Sequence, residues 1–133
     1  VAKILVVEDN EQLGEMLVER LERRGHQALL ATENDAALSS AKAARPEVIL
    51  LEAQLRGGEE WATARALKFD DHTREIPIIG LMTNNSDEAR DLARHSGCLD
   101  VHYKPVDFGK LLSQIEAAAP TPAAPSEAEG EAP

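Results

Sequence analysis

Five short apolar runs are separated by longer stretches in which apolar residues recur every three or four positions. The runs are KILVV (residues 3–7), QALLA (27–31), EVILL (47–51), IPIIGLM (76–82) and DVHY (100–103). Their length and near-continuous apolar character predict strands covered on both faces.

The stretches between them predict helices. After Asp9, the residues Leu13, Met16, Leu17 and Leu21 fall on one face, Arg23 and Arg24 suit the negative end of the helix dipole, and Gly25 suits the C-cap. Thr32, with Asp35 three residues on, reads as the N-cap of a second helix carrying Ala36, Ala37, Leu38 and Ala41, which Arg45-Pro46 stops. A third begins near Glu59 and turns Trp61, Ala64 and Leu67 inward. A fourth starts at Ser86 and ends at Gly97, and Asp107 caps a fifth through Leu111, Leu112 and Ile115.

Strand and helix thus alternate five times. Strands joined by helical crossovers run parallel with right-handed connections. The pattern predicts one α/β domain over residues 1–118, a doubly wound five-stranded parallel sheet between two helix layers. Residues 119–133, APTPAAPSEAEGEAP, have the composition of a disordered Pro/Ala/Glu-rich tail or linker.

Composition narrows the function. At 133 residues the chain is long enough to bury a core without metals or disulfides. Hydrophobic residues make up 43% and aromatics only 3%, so the core must be aliphatic. The formal net charge of −10 disfavours polyanions and direct nucleic-acid binding. One cysteine, Cys98, excludes an internal disulfide and a cysteine-rich zinc site and reads as a small buried hydrophobe. No run approaches a membrane span and no signal-peptide pattern precedes the first strand, so a cytoplasmic protein is expected.

Open parallel sheets bind ligands beyond the carboxyl ends of their strands. Here the first strand ends in Glu8 and Asp9, the third in Glu52, the fourth in Met82 and Thr83, and the fifth in Lys104-Pro105. Each has an ordinary structural explanation alone: Asp9 as a helix cap, Glu8 as a solvated acid, Lys104 as a surface lysine before a turn. Together, clustered carboxylates repel unless a cation neutralises them, and a hard divalent ion such as Mg²⁺ takes oxygen ligands of this kind. A lysine opposite them can pair with an anion.

With ILVVEDN, RPEVILLEAQL, IPIIGLM and YKP in order, the chain resembles a receiver domain of the bacterial response-regulator family across residues 2–118. The resemblance implies a CheY-like, flavodoxin-like sheet of strand order 2-1-3-4-5. It also implies Mg²⁺ binding by the acidic pair Glu8 and Asp9, and phosphoryl transfer from a histidine kinase to an aspartate ending the third strand. A Ser or Thr ending the fourth strand and the lysine, here Lys104, would hold the phosphoryl oxygens, and Lys104-Pro105 would be cis.

This chain departs from that pattern where the chemistry lies. The phosphoacceptor position holds Glu52, whose extra methylene advances the carboxylate by about 1.5 Å. Misplacement by about 1 Å costs on the order of 10²-fold in a positioning-dependent reaction. Met82 has no hydroxyl to offer, although Thr83 is adjacent. Val101 replaces an aromatic, with Tyr103 on the same strand face as a possible substitute. Arg56 and Glu60 stand where the family often has proline and glycine, which predicts an unusual loop after Glu52.

These departures predict an atypical receiver, a pseudo-receiver that acts as a phosphorylation-independent protein-interaction module. Arg90, Arg94, His102 and Tyr103 are its candidate contacts, and a histidine kinase or downstream effector its partner. Mg²⁺ at Glu8, Asp9 and Glu52 is expected to be weak or lost, with the longer Glu52 forming an ion pair with Lys104 in place of metal as the metal-free version, and the protein a monomer or weak homodimer. The alternative is a phosphoacceptor receiver in which Glu52 replaces a native aspartate as an activation mimic or still accepts phosphate. An enzyme is not expected: no nucleophile triad or phosphate loop is present, and His26, His72, His95 and His102 lack metal-ligand spacing.

Overall fold

A computed structural model describes residues 1–119. The elements run β1 Lys3–Val7, α1 Glu11–Arg23, β2 Gln27–Ala31, α2 Asn34–Ala44, β3 Val48–Glu52, α3 Ala62–Phe69, β4 Ile78–Met82, α4 Asp87–His95, β5 Asp100–Tyr103 and α5 Phe108–Ala118. They form one parallel sheet of order β2-β1-β3-β4-β5, the doubly wound architecture expected. From residue 120 on, the expected tail lies outside the described residues.

Period-two alternation sends each strand's side chains into two cores. Ile4 and Val6, Leu50, and Ile79 and Leu81 pack with Leu17 and Leu21 of α1 and Leu111, Leu112 and Ile115 of α5. Leu5 and Val7, Ile49 and Leu51, and Ile78 and Met82 pack with the alanine-rich faces of α2, α3 and α4. Small residues on those helices let them lie close to the sheet, which is why so few aromatics suffice.

Several local expectations need correction. α1 is capped by Asn10, whose side chain accepts from the Leu13 N–H, and Asp9 is released for another role. Met16 is exposed, because α1 turns only a narrow stripe inward. Glu33, not Thr32, precedes α2, and it makes no side-chain cap bond. β3 begins one residue late because Glu47 turns its carboxylate back to the Lys3 N–H at 2.8 Å. Ile76 and Pro77 precede β4, although the Pro77 carbonyl still accepts from Ile49 at 3.0 Å. α3 starts at Ala62 rather than near Glu59, since Trp61 adopts φ 61° and donates its backbone N–H to Ala53 at 2.7 Å. The remaining caps, Ser86 and Asp107, accept from Ala89 and Lys110 as predicted. Among the described residues no helix is long and apolar enough to cross a membrane.

Candidate functional site

The carboxyl ends of β1, β3 and β5 bring the predicted charges together. Glu8 directly follows β1 and is only 1% exposed, so it is not the solvated acid its position first suggests. Its backbone N–H donates to Ala31 at 3.0 Å, which holds it in line with the strand. One carboxylate oxygen accepts from the Asn10 N–H at 3.1 Å and the other from Lys104 Nζ at 2.9 Å. Glu52, the last residue of β3, accepts from the same ammonium, and its second oxygen accepts from the Gln54 N–H at 3.3 Å. Lys104 is placed by its own backbone N–H, which donates to the Met82 carbonyl at 2.8 Å. The Lys104-Pro105 peptide is cis, as the resemblance implied.

One ammonium therefore bridges two glutamates. Burial pushes the Glu8 carboxyl above its usual range, against the opposing pull of the Lys104 hydrogen bond. Burial also disfavours the Lys104 ammonium, but hydrogen bonds to Glu52 and Glu8 outweigh it and leave the lysine pKa raised. The ammonium is thus the more firmly charged partner.

Asp9 stands apart from this bridge. Its carboxylate accepts from the backbone N–H of Arg56 at 2.7 Å. Proline has no N–H, so this tether exists because Arg56 occupies a position where a proline would leave Asp9 unanchored. The loop then turns through Gly57 at φ 82°, with the Gly58 N–H on the Leu55 carbonyl at 3.0 Å.

Mg²⁺ demands near-octahedral oxygen ligands at about 2.0–2.1 Å. Here both oxygens of Glu8 and of Glu52 already accept hydrogen bonds, and the position between them is taken by Lys104 Nζ. Among the described residues no three His, Cys, Asp or Glu side chains are grouped to hold a metal ion. In this arrangement the cation facing Glu8 and Glu52 is the Lys104 ammonium.

The fourth-strand position is Met82, 1% exposed and in register with Tyr103; Thr83 follows the strand and is exposed. Val101 is buried opposite Gly80. Tyr103 packs half-buried against the α2–α3–α4 core, and its hydroxyl accepts from Arg90 Nε at 3.0 Å. The Arg90 guanidinium lies 5.9 Å from the ring centroid. Arg94 pairs with Asp100 at 3.5 Å.

His102 is not part of that group. It alternates to the opposite face of β5 and bonds Gln114 of α5, whose amide also donates to Asp100 at 3.0 Å. Asn10, Arg56 and Gln114 were missed as site-supporting residues. Only Arg56 carried a signal, as a departure from the family pattern.

Comparison with known proteins agrees with this fold. The chain matches the response regulator receiver domain over residues 4–116. It is 33% identical over 115 residues to the phosphate regulon transcriptional regulatory protein PhoB of Escherichia coli, covering 86% of this chain and spanning 50% of that relative. It is 31% identical over 116 residues to protein PilH of Pseudomonas aeruginosa, covering 87% of this chain and 96% of that one. Its fold is similar to the chemotaxis response regulator CheY4 of Vibrio cholerae, with TM-score 0.82, 24% identity and coverage of 89% and 98% of the two chains. It is similar too to the BeF3-activated receiver domain of Klebsiella pneumoniae RstA, with TM-score 0.80, 23% identity and coverage of 90% and 99%. By motif order, strand topology and sequence, this chain belongs to the response regulator receiver domain family of two-component signalling.

Proposed function

We propose that this receiver is a phosphorylation-independent protein-interaction module whose acidic site is closed by its own lysine. Receiver domains are signalling modules that engage histidine kinases and effectors. The observation that carries the finer reading is the double contact of Lys104 Nζ with Glu8 and Glu52. The longer Glu52 carboxylate already occupies the lysine that a phosphoryl group on a shorter aspartate would have to reach. Mg²⁺ would have to displace that ammonium before it could use the same oxygens. Met82 adds no hydroxyl for a phosphoryl oxygen.

The partner surface in this reading is the α4–β5 face, with Arg90, Arg94 and Tyr103, and His102 across the β5 edge. The partner is a cytoplasmic signalling protein rather than nucleic acid or membrane. In a second reading, Glu52 mimics a phosphorylated aspartate or still accepts phosphate. It shares the Glu52–Lys104 contact, but the buried Met82 and the short Val101 supply neither group such a switch would use.

The test is intact-mass analysis after incubation with Mg²⁺ and a small-molecule phosphodonor or a histidine kinase. No stable phosphoryl adduct is expected. An adduct mapped to Glu52 overturns the reading.

A further inference from the structure

We infer that Trp61 is a wedge that holds the α4–β5 face in one conformation. The inference deepens the functional reading, and rests on it only in taking that face as the surface a partner meets.

Three observations converge below the acidic site. Gly80 lies at the middle of β4, in register with Leu51 on one side and Val101 on the other. A Cβ at Gly80 would stand 2.5 Å from Trp61 Cη2, 2.9 Å from Cζ3 and 3.1 Å from Val101 Cγ1. The indole, arriving from the start of α3, thus fills the space that a β4 side chain would otherwise take.

Trp61 holds this place against local preference. Its φ of 61° is a genuine outlier for a bulky residue. Its Nε1 is the one buried side-chain polar atom without a hydrogen-bond partner among the described residues. Strained, unsatisfied positions persist only where surrounding packing over-determines them. Here that packing is close contact on a sheet surface kept bare by glycine.

The next row on the same face is Met82 and Tyr103, also in register. Met82 is buried, and Tyr103 carries the hydrogen bond to Arg90 on α4. A packed column therefore runs from Trp61, through Gly80 with Val101 and Met82 with Tyr103, to α4. For Tyr103 to turn inward, or for Met82 to repack, the row beneath would need free volume, and close-packed interiors switch only between discrete arrangements that each have room. Gly80 would supply that room, and Trp61 occupies it. The position of α4, tied through Arg90, stays fixed.

The test needs neither Mg²⁺ nor phosphodonor, so it is independent of the chemistry at Glu52. Trp61 is the chain's single tryptophan and gives one indole N–H resonance. In the natural protein that proton should exchange with solvent as slowly as the most protected β3 and β4 amides. Met82, Tyr103 and Arg90 should show no microsecond–millisecond exchange by relaxation dispersion. In Trp61→Leu, and in the more conservative Trp61→Phe if the first does not fold, such exchange should appear at those three residues while Leu17 and Leu111 in the opposite core stay unchanged.

An indole N–H that exchanges orders of magnitude faster than β4 amides overturns the inference. So does exchange at Tyr103 in the natural protein, or loosening that spreads equally to both cores. A phosphoryl adduct on Glu52 overturns the functional reading and leaves this result standing.

Discussion

Lys104→Met removes the ammonium between Glu8 and Glu52 while leaving a side chain of similar length. Lys104 is 21% exposed, Glu52 14% and Glu8 1%, so the group left most exposed to penalty is the Glu8 carboxylate. Breaking a buried pair by deleting one partner costs about 3–5 kcal/mol. Because Glu8 can take up a proton instead of remaining charged, the lower end, about 3 kcal/mol, is expected near neutral pH. At about 4 °C per kcal/mol for a domain of this size, Tm should fall by about 12 °C.

The penalty also has a sign in pH. Burial already raises the Glu8 carboxyl above its ordinary 4.5, and losing the lysine removes the hydrogen bond and charge that oppose the rise. A carboxyl raised on folding binds more protons in the native state, so stability falls as pH climbs from 4.5 toward the folded value. Relative to the parent, Lys104→Met should therefore lose more at about pH 8 than at about pH 5. Urea unfolding followed by circular dichroism and Trp61 emission measures both. A variant as stable as the parent near pH 8, or a penalty that shrinks as pH rises, would refute Lys104 as the counter-ion of this site.

Two further outcomes follow from groups away from the acidic site. The Asp70 carboxyl is held down to about 2, chiefly by its Lys42 hydrogen bond and then by the His72 N–H, so its contribution is present above 3.8 and is lost as pH falls through about 2. Asp70→Asn should lower the urea midpoint at neutral pH and converge with the parent in strong acid; a difference that widens on acidification contradicts this. Burial pushes the Cys98 thiol up to about 12, so labelling by a thiol reagent near neutral pH should wait on opening of the structure. Fast labelling that denaturant does not accelerate contradicts it.

The sheet was legible because buried parallel strands leave continuous apolar runs and crossover helices leave a 3.6-residue stripe. Both signals depend on many residues at once and tolerate local exceptions. Boundaries depend on single bonds, and there the reading slipped. Thr32 in a T-x-x-D spacing looked like a cap, yet Asn34 turns its side chain to Thr63 at 2.7 Å and the chain enters α2 at Glu33. Nothing in a tryptophan's neighbours announces a left-handed backbone, so α3 was started too early. The glycine inside IIGLM was the available clue, since a strand glycine often marks close approach by another group. At the site, Glu8, Glu52 and Lys104, singled out from the strand ends, are brought together in the structure. The Glu52–Lys104 ion pair could be read from the length of the Glu52 side chain, but that the same ammonium also holds Glu8 was not legible, because it depends on how deeply Glu8 is buried beside the strand end.

Whether an internal ammonium completes the acid cluster decides how this site works. Titration of the protein with Mg²⁺, following the side-chain carboxyl carbons of Glu8, Asp9 and Glu52 by NMR, asks this directly. With Lys104 in place, no saturable shift is expected at any of the three through millimolar Mg²⁺. A saturable shift shared by Asp9 and Glu52, with loss of the Lys104 contact, would contradict it.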